Sequence, residues 1–233
     1  CYGEVPNPDQ VTKRIEDRAD HYCNTVSLSD TELAERIVSD RIDILVDLAG
    51  HTASNRLQVF ARQPAPIQAT WLGYANTTGL PTIAYRFTDQ LADPPGSGEF
   101  YSEKLLRLPG CFLSFQPEIE APPVSALPAL EKGTITFGSF NNPSKVNESV
   151  IEVWAKILQA VPQSHLLLKG KQFADDKTCD IYCERFAKHG IARERLTLLG
   201  RLPRLSDHLA IYNQVDIGLD PFPYNSKTTT FEA

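Results

Sequence analysis

Methionine is absent from all 233 residues. A translated chain starts with one, whereas this chain opens on Cys1-Tyr2-Gly3-Glu4, so the sequence is expected to be an excerpt of something longer. Long apolar runs are missing as well. The richest, Ile42 to Ala49, is interrupted by Asp43 and Asp47, and Leu166-Leu167-Leu168 is short. Neither approaches the roughly 20 residues that cross a bilayer. With no charged-then-apolar leader, the chain reads as cytoplasmic, or nucleocytoplasmic if eukaryotic, with no membrane partner. Cysteine is scarce and odd in number: there are 5. Cys179 and Cys183 would share a helix face, but no histidine or second pair completes a tetrahedral site, and all five are read as free thiols of a reducing compartment. Basic charge is in deficit too. Lys and Arg number 23 against 29 Asp and Glu, a net charge of -6, which argues against nucleic acid as a partner because neutralising many phosphates needs a basic surface. A local basic pocket stays open.

The familiar chemical motifs are also missing. There is no Walker loop, no Gly-x-Gly-x-x-Gly, no His-Glu-x-x-His and no Gly-x-Ser-x-Gly. Asp43 and Asp47 span a strand and have no third ligand, so they are not read as a metal pair.

What remains is an ordinary globular composition, 42% hydrophobic and 22% charged, at a length that favours two small domains over one large one. Ser29 followed by Glu32 fits a capping box ahead of a helix from Asp30. Ile42 to Ala49, closed by Gly50, reads as a buried strand. A helix over Ser54 to Arg62, a strand over Pro66 to Tyr74 and another over Ile83 to Thr88 continue an alternation that favours a parallel sheet. Pro117, Pro122, Pro123 and Pro128 then crowd a stretch without periodicity, read as a linker over 116–133. Beyond it the alternation restarts: strand Thr134 to Phe140, helix Glu148 to Ala160, strand His165 to Lys169, helix Asp176 to His189 stopped by Gly190, strand Leu196 to Leu199, helix Leu205 to Tyr212, strand Val215 to Asp220, and a helix beginning at the end. The expectation is α/β: two Rossmann-like units over 1–115 and 134–233.

In an open parallel sheet, ligands bind where strand ends enter helices. Three such places in the second unit carry polar residues. Asn141-Asn142-Pro143-Ser144-Lys145 sets a lysine after the first strand, where it could meet a phosphate or be a solvated loop residue. Arg201 and Arg204, with His208 on the next helix, could contact a nucleotide or form an ordinary helix start. Asp220-Pro221-Phe222-Pro223-Tyr224-Asn225-Ser226-Lys227-Thr228-Thr229-Thr230-Phe231-Glu232-Ala233 brings a lysine and three hydroxyls to a helix beginning, suited to phosphate oxygens. Glu232 is positioned to accept a bond from a ribose hydroxyl. Helix capping by Thr228 is the simpler explanation of one threonine, though not of three.

Several of these segments, in this order, resemble the catalytic region of glycosyltransferase family 41, which holds protein O-GlcNAc transferases and SPINDLY-type O-fucosyltransferases. The resemblance rests on Ile42-Asp43-Ile44-Leu45-Val46-Asp47-Leu48-Ala49-Gly50-His51-Thr52, on Pro64 to Tyr74, on Thr136-Phe137-Gly138-Ser139-Phe140-Asn141-Asn142 with Lys145, and on Asp220 to Tyr224 with the threonines. It implies a GT-B architecture with both lobes truncated, and metal-independent, inverting transfer from a nucleotide sugar to Ser or Thr hydroxyls of protein acceptors, with tetratricopeptide repeats elsewhere in the full-length chain. UDP-GlcNAc is the implied donor, with no cofactor or metal. Gly79-Leu80-Pro81 and Leu91-Ala92-Asp93-Pro94-Pro95 look more SPINDLY-like, which keeps GDP-fucose open, and a non-catalytic protein-binding module on the same fold is the rival of another class.

Carried over by position, the resemblance makes Lys145 the stabiliser of the diphosphate leaving group. Asn142 becomes a donor-contacting amide, and Arg204 and His208 neighbours of the base. Lys227, Thr228, Thr229 and Thr230 fall to the diphosphate, Glu232 to the ribose, and His21 in Ala19-Asp20-His21-Tyr22 to the general base. His51 is read as structural. Lys227 departs from the family, which has histidine or threonine there. This length of chain alone is expected to be inactive.

Overall fold

The computed structural model describes residues 1–117 and 121–233, which fall into two units, Cys1–Ser114 and Phe115–Ala233. The first opens with strand β1 (Tyr2–Gly3), helix α1 (Gln10–Glu16) and strand β2 (Cys23–Asn24), β1 and β2 pairing in parallel. These elements are too short to carry a readable period, yet α1 has a local signal: Asp9 Oδ1 accepts the Thr12 amide at 2.9 Å.

Helix α2 (Asp30–Ser39) begins where its capping box predicts. Ser29 Oγ accepts the Glu32 amide at 3.3 Å while Glu32 Oε2 accepts the Ser29 amide at 2.8 Å. The helix buries Leu33 and Ile37 in a core shared with Leu45, Val59, Phe60 and Ile83. Ser29→Ala removes an acceptor from the helix start and is expected to cost about 1 kcal/mol of stability in urea denaturation.

Strands β3 (Ile44–Asp47), β4 (Ile67–Thr70), β5 (Tyr85–Thr88) and β6 (Lys104–Arg107), with helix α3 (Leu57–Ala61) between the first two, form a parallel sheet in the order β3-β4-β5-β6. One expectation is corrected here. Strand β3 is buried on one face only: Leu45 and Asp47 are covered, whereas Ile44 is 58% and Val46 39% exposed. It is the outermost strand, and α2 and α3 cover only one side of it.

Polar side chains fasten the loops at the carboxyl end of this sheet. Buried Asp47 accepts the amides of Ala49 and Gly50 and the Thr70 hydroxyl. Glu103 accepts from Thr77 Oγ1 and the Thr78 amide, both at 2.7 Å, and from Thr78 Oγ1. His51 Nε2 lies 2.8 Å from Thr78 O, a loop-fastening contact that suits its structural reading.

The second unit runs α4 (Pro128–Lys132), β7 (Thr136–Ser139), α5 (Glu148–Ala160), β8 (His165–Lys169), α6 (Asp176–Ala187), β9 (Leu196–Leu199), α7 (Leu205–Ala210), β10 (Ile217–Gly218) and α8 (Thr228–Glu232). The sheet is parallel throughout, in the order β10-β7-β8-β9. Val150, Ile151, Trp154 and Leu158 of α5, Leu166 and Leu168 of β8 and Phe186 of α6 form its core. Gly190, at φ +75°, ends the α6 segment in a left-handed turn that favours glycine.

The proline-rich stretch 116–133 lies in this second unit. Glu118, Ile119 and Glu120 fall outside the described residues. Pro128 opens the short helix α4 at the position where its missing N–H costs nothing, and Asp216 holds it by accepting the Ala129 amide at 2.8 Å. Two expected elements are shorter than periodicity suggests. Helix α7 tightens into a 3-10 turn over Ile211–Gln214, and the strand read over Val215 to Asp220 pairs only at Ile217–Gly218. Among the described residues no helix is long and apolar enough to cross a membrane.

Candidate functional site

In the second unit the chain steps outward from β7 to β8 and β9, then crosses back to pair β10 on the other side of β7. The loops leaving β7 and β10 therefore diverge and leave a crevice at the strands' carboxyl ends. A cavity of about 250 Å³ occupies it, walled by Phe140 and Asn141 after β7, Asp220 after β10, and Ser226, Thr229 and Thr230 at α8. Gly138 allows the two strands to meet there: a Cβ at that position would lie 2.5 Å from Val215 Cγ2.

Lys145 ends a 3-10 turn, Pro143–Lys145, directly after β7. Its Nζ donates to Asn225 O at 3.0 Å and stands 4.5 Å from the centre of the Tyr224 ring, so it reaches the loop between β10 and α8. Partial burial pulls its pKa down and the Asp220 charge opposes that, the setting of a cation that gains from a further anion. Asn142 caps the same turn: its Oδ1 accepts the Ser144 amide at 3.1 Å and Gln172 Nε2 at 2.8 Å, so its NH₂ is what it can offer a ligand.

The loop after β10 is folded back by Asp220, whose two oxygens accept the Ser226 amide at 2.9 and 3.1 Å. Asp220 also accepts from Asn141 Nδ2 at 3.3 Å, whereas Asn141 Oδ1 is buried without a partner among the described residues. Ser226 and Thr229 share a hydroxyl–hydroxyl bond, and Thr229 and Thr230 face the cavity. Lys227, not Thr228, occupies the cap position of α8, and it makes no side-chain capping bond. Thr228 is the exposed first residue of that helix.

His208 on α7 joins two charged residues. Its Nδ1 is 2.7 Å from Lys169 Nζ and its Nε2 is 3.2 Å from Glu232 Oε2. Tyr212 Oη donates to the same Glu232 oxygen at 3.1 Å, and its pKa is driven up by burial and by that carboxylate. Phe140 stacks on Tyr212 with ring centres 3.9 Å apart and meets the His208 ring edge-on. Arg204 is turned to a different partner: its guanidinium pairs with Asp207 through two bonds of 2.9 Å and is largely exposed.

Of the sequence-predicted residues of the second unit, Lys145 thus lies with Asn142 and His208 with Glu232, whereas Arg204 is paired with Asp207 instead. His21 belongs to the first unit. It is exposed, in the turn between α1 and β2, beside an open hollow lined by Arg18, Asp20, Arg36 and Asp40. Lys169, Tyr212, Phe140, Asn141 and Asp220 escaped the sequence reading as site residues. Lys169 had a signal, since a lysine closing the apolar strand His165-Leu166-Leu167-Leu168-Lys169 is 7% exposed and sits at a carboxyl end.

The description "Glycosyl transferase family 41" matches residues 1–116. The chain is 44% identical to "Probable UDP-N-acetylglucosamine--peptide N-acetylglucosaminyltransferase SPINDLY" of Arabidopsis thaliana, over all of this chain and 26% of that protein. It is 29% identical to the SEC protein of the same plant, named for the same reaction, over 98% of this chain and 24% of that protein. A solved structure of a mutant Thermobaculum terrenum O-GlcNAc transferase superposes with a TM-score of 0.94 at 40% identity, over 100% of this chain and 44% of that one. The chain therefore spans about a quarter of the length of its SPINDLY relatives. That structural match carries the α/β, parallel-sheet architecture of the GT-B type. Matches to the first unit by family description, and to both units by relatives and by a solved structure, agree: the chain belongs to glycosyltransferase family 41.

Proposed function

We propose that this chain is the catalytic part of a protein O-glycosyltransferase that moves N-acetylglucosamine from UDP-GlcNAc to Ser or Thr hydroxyls of protein acceptors, with inversion. The observation that carries the reading is the switch-point cavity, where hydroxyls of Ser226, Thr229 and Thr230 gather at the loop that Lys145 reaches. The acceptor hydroxyl attacks the anomeric carbon, the bond to the diphosphate breaks, and negative charge grows on the leaving oxygen. A fixed cation stabilises that charge most where water is excluded, which is the role given to Lys145. Asn142 and the threonines hold the diphosphate, with Lys227 as an added cation, and Glu232 takes the ribose. His208, and more loosely Arg204, stand by the base. His21 is the proposed general base.

The units 1–115 and 134–233, joined by 116–133, are proposed as a partial N-terminal catalytic lobe and a partial C-terminal nucleotide-sugar-binding lobe, in a cytoplasmic protein with tetratricopeptide repeats elsewhere. The names of the plant relatives, both for UDP-GlcNAc transfer, support the donor. GDP-fucose is the second reading, carried by the likeness of Gly79-Leu80-Pro81 and Leu91-Ala92-Asp93-Pro94-Pro95 to SPINDLY-type members. Thermal unfolding of the full-length protein separates them. A nucleotide at a hundredfold excess over its Kd adds about 2.7 kcal/mol of stability, so UDP is expected to raise the melting temperature by several degrees and GDP to leave it unchanged. Protection by GDP alone would replace GlcNAc with fucose.

A further inference from the structure

Lys169 is not part of the cavity wall, yet it is the most buried lysine near it. It closes β8, is 7% exposed, and holds its ammonium 2.7 Å from His208 Nδ1. An ammonium has three donors and no acceptor. A nitrogen at hydrogen-bond distance from it must therefore be the unprotonated one. The ring proton is left on Nε2, which lies 3.2 Å from Glu232 Oε2 and can donate to it. Tyr212 Oη donates to that same oxygen, so two donors converge on one carboxylate oxygen.

We infer that Lys169 is a positioning residue: by donating to Nδ1 it fixes His208 as the Nε2–H tautomer, and the Nε2–H together with Tyr212 Oη holds the Glu232 carboxylate in place at the end of α8. The chain of contacts runs from strand to carboxylate through one imidazole, and each link has a defined donor. Burial works against the charge on Lys169, while the Glu232 carboxylate supports it and Arg201 opposes it. Phe140 and Tyr212 confine the ring from the side, at centre distances of 5.9 and 5.8 Å, so the imidazole has little freedom to find another partner. Without Lys169, Nδ1 would lose its donor, and the ring would be free to move its proton to Nδ1 or to swing away. Glu232 would then lose one of its two donors.

The consequence for nucleotide recognition rests on the proposed role of Glu232 toward the ribose, whereas the tautomer does not. Magic-angle-spinning NMR of the full-length protein labelled with 15N-histidine reads the tautomer directly, the His208 signal being assigned by its loss in His208→Gln. The expected spectrum has a protonated Nε2 and an unprotonated, hydrogen-bonded Nδ1. In Lys169→Met, of similar length and apolar, the Nδ1–H form should appear. Two protonated nitrogens in the unaltered protein, or an unchanged His208 signal in Lys169→Met, would overturn the inference.

Nucleotide binding supplies the second arm. Lys169→Met is expected to weaken binding of the nucleoside diphosphate about tenfold, equivalent to about 1.4 kcal/mol, with Lys169→Arg recovering part of the loss. If the unaltered protein binds neither UDP nor GDP, the functional reading fails while the spectra still decide the tautomer. If it binds UDP and Lys169→Met binds equally well with the altered tautomer, the positioning role fails alone.

Discussion

Lys145→Ala in the full-length protein is expected to lower turnover by about 10²–10³-fold, the cost of removing one preorganised charge from a transition state. Binding of the donor should fall much less, because the threonine hydroxyls and Glu232 stay in place. The difference follows from where the lysine stands. Its ammonium has only a carbonyl, Asn225 O at 3.0 Å, as its hydrogen-bond partner among the described residues, and the face of Tyr224 beside it. Neither is charged, and the nearby Asp220 carboxylate supports the ammonium with no hydrogen bond to it among the described residues, which leaves its donors open to a leaving group. Single-turnover rates and donor titrations, measured side by side, check the split. Equal losses in rate and binding would make Lys145 a general anion contact, an unchanged rate would remove its role in the transition state, and loss of turnover would count against the non-catalytic protein module.

The largest effect on stability is expected at Trp154. Its side chain is 2% exposed and sits between the strands and α6, in contact with a core that includes Val150, Leu158, Leu166 and Phe186. Trp154→Ala removes more apolar volume than any other single truncation in this core, and the neighbours, held on a helix and a strand, cannot close the gap. A loss of about 3–5 kcal/mol is expected, read by circular dichroism during urea denaturation. A loss below about 1 kcal/mol would show that α5 does not carry the second unit.

Some of this was legible in the sequence. Helix Glu148–Ala160 and strands His165–Lys169 and Leu196–Leu199 have the bounds that periodicity assigns, because each is either a long amphipathic run or an apolar block between turns. Strands β1, β2 and β6 and helices α1 and α4 were unreadable, since two to seven residues hold too little of any period. The site divides along the same line. Lys145 and the threonines lie next to strand ends and stand out locally. Lys169 meets His208 across 39 residues, and Asn141 meets Asp220 across 79. Those pairs exist only because β10 returns to the far side of β7, which no local pattern encodes.

Around the crevice several polar groups bond one another, Asn141 Oδ1 excepted. Ser226 bonds Thr229, Lys145 bonds Asn225 O, and Glu232 takes His208 and Tyr212. An anion that enters exchanges these contacts for its own, and the net gain per bond is small. If the crevice is the donor site proposed above, the same exchange would run in reverse when a spent nucleotide departs, since Ser226, Lys145 and Glu232 each have a partner waiting. A site so arranged would reset without help, which suits repeated cycles better than tight retention.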